Sequence, residues 1–146
     1  MATRCSCRRT DPKGNRMTVE LAAQVRWLVD RAQISELLHS FARALDTRDF
    51  AAYVANYDVD GVIELPQPTS PGSTWTMRRD EMLAKVPRSL GRYSATHHIS
   101  SNHQITIAGD TASSRSYLLA VHVGATPAVH WDAGGWYDCS CRRTAA

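Results

Sequence analysis

The chain changes its hydrophobic period once, near the middle, and that change limits the folds open to it. Between Thr18 and Asp46 there is no glycine or proline. Leu21, Val25, Leu28 and Ala32 form one stripe at helical spacing; Ile34, Leu38, Phe41 and Leu45 form a second. Residues three or four apart share a helix face. The segment therefore predicts one long helix opened by a Thr18 cap, or two in tandem with a bend near Asp30. A shorter helix is expected over 49–57 and a short strand over 62–65, stopped by Pro66 and a loop to Ser73. Residues 78–90 have a helical composition that Pro87 should end or kink.

The second half is β in pattern. Residues 96–107 and 111–123 are expected to pair about an Ala108-Gly109-Asp110 turn. A third long strand over 129–143 follows, with a bulge suggested at Gly134-Gly135. Helices first and an antiparallel meander afterwards predict an α+β fold, the helices covering one face of a curved sheet. A cone of this kind leaves a pocket in its mouth. At 146 residues there is material for one domain that buries about 70% of its unfolded surface.

The net charge is +3, but Arg4, Arg8, Arg9, Lys13 and Arg16 face only Asp11 in residues 1–16. The basic excess lies in an arm and the remainder is slightly acidic. A nucleic-acid binder would carry its charge on a folded face among aromatics, so no nucleic-acid partner is expected. No apolar run is long enough for a membrane span, and residues 1–16 lack the apolar core of a secretory signal. A cytoplasmic setting with no membrane partner is the expectation. The thiols come as Cys5/Cys7 and Cys139/Cys141. A Cys-x-Cys pair lacks the spacer usual in zinc knuckles, so reduced structural thiols and no metal are expected.

Familiar catalytic signatures are absent: no P-loop, no dinucleotide fingerprint, no nucleophile elbow, no zincin helix. Histidines cluster instead. His97, His98, His103, His122 and His130 all lie in the β half, where neighbouring strands could gather them. An imidazole beside a carboxylate is a ready acid/base near neutral pH. If the apolar side faces the pocket throughout, His97, which shares its face with Ile99, Ile105 and Ile107, points in, and His98, which shares its face with Ser100 and Asn102, does not; only a bulge near Ser100-Ser101 would turn His98 inward instead.

Several stretches together are similar to SnoaL-like proteins of the nuclear-transport-factor-2-like superfamily. They are Leu28-Val29-Asp30-Arg31-Ala32-Gln33-Ile34-Ser35-Glu36-Leu37-Leu38, Ala44-Leu45-Asp46-Thr47-Arg48-Asp49-Phe50 and Asp60-Gly61-Val62-Ile63-Glu64-Leu65-Pro66. Thr96-His97-His98-Ile99-Ser100-Ser101-Asn102-His103, Ala108-Gly109-Asp110-Thr111-Ala112 and Gly134-Gly135-Trp136-Tyr137 complete the set. The resemblance spans residues 17–144 and divides the chain into an arm, 1–16, and a SnoaL-like domain, 17–146. It implies a conical barrel of curved antiparallel sheet with an interior pocket, and members that include polyketide cyclases, dehydratases, isomerases and non-catalytic subunits.

On the family pattern Asp46 and His98 match a catalytic dyad, and His122 resembles a second pocket histidine. Asn102 and Trp131 are further candidate substrate contacts. Leu45 and Leu65 stand where scytalone dehydratases hold a water with two tyrosines, which weakens that route here. The resemblance thus implies a cofactor-independent cyclase, dehydratase or isomerase acting on a small apolar carbonyl or polyketide-like compound. The alternative is a binding or dimerisation domain without turnover.

Family members also commonly pair as homodimers through the sheet. Tyr117, Leu119 and Val121, of opposite parity to His122, make that face apolar. One more strand normally follows the one matching residues 135–144. The hexapeptide Cys5-Ser6-Cys7-Arg8-Arg9-Thr10 repeats Cys139-Ser140-Cys141-Arg142-Arg143-Thr144, so residues 3–10 are expected either to pair beside the terminal strand or to form a solvated arm.

Overall fold

A computed structural model describes residues 12–66, 70 and 72–144. The elements run α1 (Pro12–Asp46), α2 (Phe50–Ala55), β1 (Val62–Pro66), β2 (Thr74–Arg78), α3 (Arg79–Leu90), β3 (Tyr93–Ala108), β4 (Thr111–Gly124) and β5 (Trp131–Arg142). The Cys5–Thr10 copy of the hexapeptide, and with it the strand-or-tail question, lies outside the described residues.

The first helix is continuous for 35 residues, with no break at Asp30. Its two stripes have different fates. Leu38 and Leu45 are buried, whereas Leu21, Val25 and Leu28 face solvent. The reason is where the sheet ends. Arg143, just past β5, grips Asp30 through two bonds of 2.7 and 2.8 Å, and no described element covers the helix before that point. The guanidinium holds the Asp30 carboxyl below its ordinary range. A second clamp joins Arg142 to Asp58 at 2.9 Å. Both arginines of the C-terminal hexapeptide therefore fasten β5 to the helical half.

Two further corrections concern turns. Residues 74–77, between the expected loop and the expected helix, have no expected element; with Arg78 they form a strand, β2, paired antiparallel with β1 from Val62↔Arg78 to Pro66↔Thr74. Pro87 sits inside α3 without ending it; the helix runs on to Leu90 and closes with Gly91 N–H donating to Pro87 O at 2.8 Å. Glu81 accepts from the Arg78 N–H at 3.0 Å, satisfying a free amide of the first turn.

The expected conical barrel of curved antiparallel sheet is present as a curved but open arrangement of two sheets, β1-β2 and β3-β4-β5; among the described residues no ladder joins β1 to β5. The core packs Leu45 of α1, Tyr53 and Val54 of α2, and Met82, Val86 and Leu90 of α3 against Met77 and Tyr93. The glycine pair does not bulge. β4 and β5 pair in unbroken register from Thr111↔Arg142 to His122↔Trp131, with Gly134 and Gly135 opposite Leu119 and Leu118.

The bulge lies in β3 instead. Ser101 pairs with Tyr117, but Gln104 pairs with Arg115, so β3 holds one extra residue there. Asn102 absorbs it in the left-handed region, at φ 54°, a conformation asparagine tolerates better than most residues. An extra residue reverses facing. Thr96, His98 and Ser100 point inward before it; His103, Ile105 and Ile107 do so after it. His103 then bridges Ser35 of α1 and Ser100, each at 3.1 Å, and Ser100 donates to Ser116 at 3.0 Å.

Candidate active site

Asp46 is the last residue of α1 and meets the start of β3. Its carboxylate accepts from the Thr96 hydroxyl at 3.0 Å and from the His98 main-chain N–H at 2.9 Å. The His98 ring nitrogen Nδ1 lies 2.7 Å from Oδ1. An ionised carboxylate only accepts, so Nδ1 carries the proton and the neutral ring keeps its lone pair on Nε2. The His98 side chain is 6% exposed and that of Asp46 21%. His97, next along, is 70% exposed and 3.9 Å from the same carboxylate. The bulge decides the parity question: His98 is the inward residue.

The His98 ring meets His122 edge-on, with centroids 5.2 Å apart. His122 is buried between Tyr93, at 4.9 Å, and Trp131, at 4.7 Å. Its Nδ1 donates to the Trp131 carbonyl at 3.2 Å. Burial first, then the nearby His98 and Arg48, hold its pKa below the ordinary histidine value. Asp46, His98, His122 and Trp131 are thus one cluster. Asn102 stands apart, exposed on the bulge.

A cleft of about 1080 Å³ opens between α1, β1 and β5, lined by Leu38, Phe41, Tyr57, Leu65, Tyr137 and Cys139 among others. None of the five expected site residues lines it. Asp46 and His98 border a shallower concavity of about 330 Å³ with His39, Ala42, Arg43 and Ser100. The hydroxyl of Tyr57, in the cleft wall, is 3.0 Å from that of Tyr53 in the core. Burial raises the pKa of Tyr53, Tyr57 and Tyr137 above the ordinary phenol value, so all three remain donors. Burial also raises the thiols of Cys139 and Cys141, which are free. Leu45 lies in the core and Leu65 on the cleft wall, so neither offers a hydroxyl where a water would be held. Among the described residues no three His, Cys, Asp or Glu side chains converge as metal ligands, and no helix is long and apolar enough to cross a membrane.

Sequence reasoning passed over Arg48 and Thr96, which the fold brings to the cluster. Thr96 had the parity of His98 to mark it. Arg48 had only its place just beyond Asp46.

No curated protein matches the sequence. Solved structures do. The Kfla4162 protein of Kribbella flavida is 27% identical, with a TM-score of 0.68 over 80% of this chain and 82% of its own. An NTF2-like protein with a cystatin-like fold from Novosphingobium aromaticivorans is 24% identical, TM-score 0.67, over 86% and 80%. ActVI-ORFA of Streptomyces coelicolor is 22% identical, TM-score 0.59, over 79% and 86%. These likenesses fix the α+β architecture with its curved, open sheet. The profile of the SnoaL-like domain matches residues 26–146, so the stretch carrying Asp46, the bulged β3 and the paired hairpins β3-β4-β5 makes this chain a member of the SnoaL-like family.

Proposed function

We propose that this protein is a cofactor-independent acid/base enzyme acting on a small apolar carbonyl compound, as a cyclase, dehydratase or isomerase. One observation carries the reading: the Asp46 carboxylate takes both the main-chain N–H and the ring Nδ1 of His98, which fixes the tautomer and leaves Nε2 as the base. Nε2 removes a proton beside the carbonyl and returns it elsewhere; Asp46 orients the ring and stabilises the imidazolium. His122 and Trp131 form the wall against which substrate rests, and Asn102 has no part in it. The route proceeds without the tyrosine-held water of scytalone dehydratases, since Leu45 and Leu65 can hold none.

Proton abstraction can be read without knowing the natural substrate. Incubated with 1-tetralone in deuterated buffer, the protein is expected to exchange the hydrogens beside the carbonyl, followed by mass spectrometry. His98→Ala and Asp46→Asn should each slow exchange by about 100-fold or more, the scale of a general acid/base. Equal rates in either variant would sink the dyad; a slow rate in His97→Ala alone would move the base one residue back.

A second reading has an observation of its own. The large cleft excludes the dyad, which suits a module that holds a ligand without turning it over. We also propose a homodimer through the outer face of β3-β4-β5, where Ile99, Tyr117, Leu119, Val123 and Trp136 are exposed together, an apolar patch rimmed by polar residues.

A further inference from the structure

The thiols of β5 are chemistry-bearing groups that the acid/base reading leaves unused. Cys139 and Cys141 are free and half-buried, and both line the cleft of about 1080 Å³. Residues two apart on a strand share a face. The register of β4 with β5 runs unbroken past both, with Cys139 opposite Ser114 and Cys141 opposite Ala112, so no bulge turns one thiol away from the other. The Ser114 hydroxyl lies beside both, which brings the two sulfurs toward one point of the inner face.

Packing accounts for a single cysteine here, since a reduced thiol fills space as a small hydrophobe. It gives no reason for two side by side at an opening. A disulfide does not suit the pair either. Same-face neighbours on a strand lie about 6.7 Å apart, and their Cβ atoms point the same way, whereas a disulfide draws its Cβ atoms to roughly 3.5–4.5 Å. An ion held between the sulfurs relaxes that demand. With thiolate–metal bonds of about 2.3 Å, a linear S–metal–S unit spans about 4.6 Å, which each side chain meets by leaning about 1 Å toward the other. Zinc takes four ligands, and among the described residues no third His, Cys, Asp or Glu joins this pair. Thiolate is a soft ligand that selects Cu(I), and a spacing too short for a zinc knuckle suits an ion content with two ligands.

We propose that Cys139 and Cys141 form a two-coordinate site for Cu(I), entered from the cleft between β1 and β5. Two S–H bonds give their protons to solvent, two S–Cu bonds form, and copper and sulfur keep their oxidation states. The resulting bis-thiolate carries one net negative charge, which the Ser114 hydroxyl stabilises as a donor. The site uses neither His98 nor Asp46 and does not depend on the acid/base reading.

The probe is Cu(I) supplied under nitrogen as its coloured bicinchoninate complex, which bleaches as the protein takes the ion. The second Cys-x-Cys pair is removed first. In a Cys5→Ser/Cys7→Ser background the chain is expected to bind one Cu(I). Cys139→Ser and Cys141→Ser, added singly, should each weaken uptake by more than about 100-fold, since a lost ligand exceeds the 10- to 100-fold worth of an outer partner; Ser114→Ala should weaken it by about 10-fold. X-ray absorption should find two sulfur neighbours at copper. Circular dichroism confirms that each variant is folded, and Cys139→Ala and Cys141→Ala carry the test where serine disrupts the strand. Absence of uptake in the background would overturn the proposal. So would full affinity in a folded single-cysteine variant, or a copper centre with three or more protein ligands.

Discussion

Replacing Asn102 tests whether the bulge in β3 sets the facing of the candidate base. The residue sits at φ 54°, where a Cβ crowds the following carbonyl at roughly 1–2 kcal/mol and a β-branched side chain fares worst. Asn102→Val should therefore cost about 1–2 kcal/mol. In a domain of this size that lowers the melting temperature by about 3–6 °C. Asn102→Gly should be close to neutral, since relief of strain is offset by the greater freedom of glycine in the unfolded chain.

Deleting Asn102 is harsher. A one-residue slip sends either Thr96, His98 and Ser100 or His103, Ile105 and Ile107 to the outer face. The second choice uncovers two half-buried isoleucines, worth about 2–3 kcal/mol together. It also breaks the His103 bonds to Ser35 and Ser100, at roughly 0.5–1.5 kcal/mol each. A total of about 3–6 kcal/mol is a large share of the roughly 5–15 kcal/mol that holds a domain together. Chemical denaturation measures the loss, and the nitrogen-15 spectrum of His98 reports whether Nδ1 still carries its proton. A deletion variant within 1 kcal/mol of wild type, or an Asn102→Val protein that melts unchanged, would refute the argument.

Acidification should destabilise the fold before its carboxylates titrate. His122 and His103 are both held below the ordinary histidine value of 6.5, chiefly by burial, so the unfolded chain binds more protons just below that value. Stability is full above pH 6.5 and falls as pH drops through the folded pKa values. Melting temperatures between pH 7.5 and 5.5 should decline, and a flat or rising profile contradicts the assignment. For assembly, light scattering at micromolar concentration should give twice the chain mass, and Leu119→Asp should yield monomers; a monomeric wild type ends the proposal.

Periodicity made the helical half and the hairpins of β3, β4 and β5 legible, because each long element repeats its own spacing. It could not show which helix stripe would be covered. Leu21, Val25 and Leu28 have the same spacing as Leu38, Phe41 and Leu45, and only the reach of the sheet to Asp30 separates them. Glycine misled at β5. Gly134 and Gly135 permit a bulge, but permission is no requirement, and the register with β4 stays regular. The bulge in the middle of β3 is marked by a single asparagine, a residue that also tolerates ordinary strand. His98 and Asp46 were found through the order of motifs rather than through spacing. Arg48 carried no signal, since an arginine after a helix end reads as an exposed cation until its Nη1 is seen to be buried.

The dyad and the cleft are lined by different residues. Tyr137 lines the cleft, packs edge-on against Phe41 with centroids 5.3 Å apart, and has its hydroxyl pKa pushed up by burial and by the charges around it, Asp46 among them. On the binding-module reading, nothing calls for a carboxylate that accepts at once from the ring Nδ1 of His98, from its main-chain N–H and from the Thr96 hydroxyl. The acid/base reading uses that arrangement to fix the imidazole's tautomer and direct the proton.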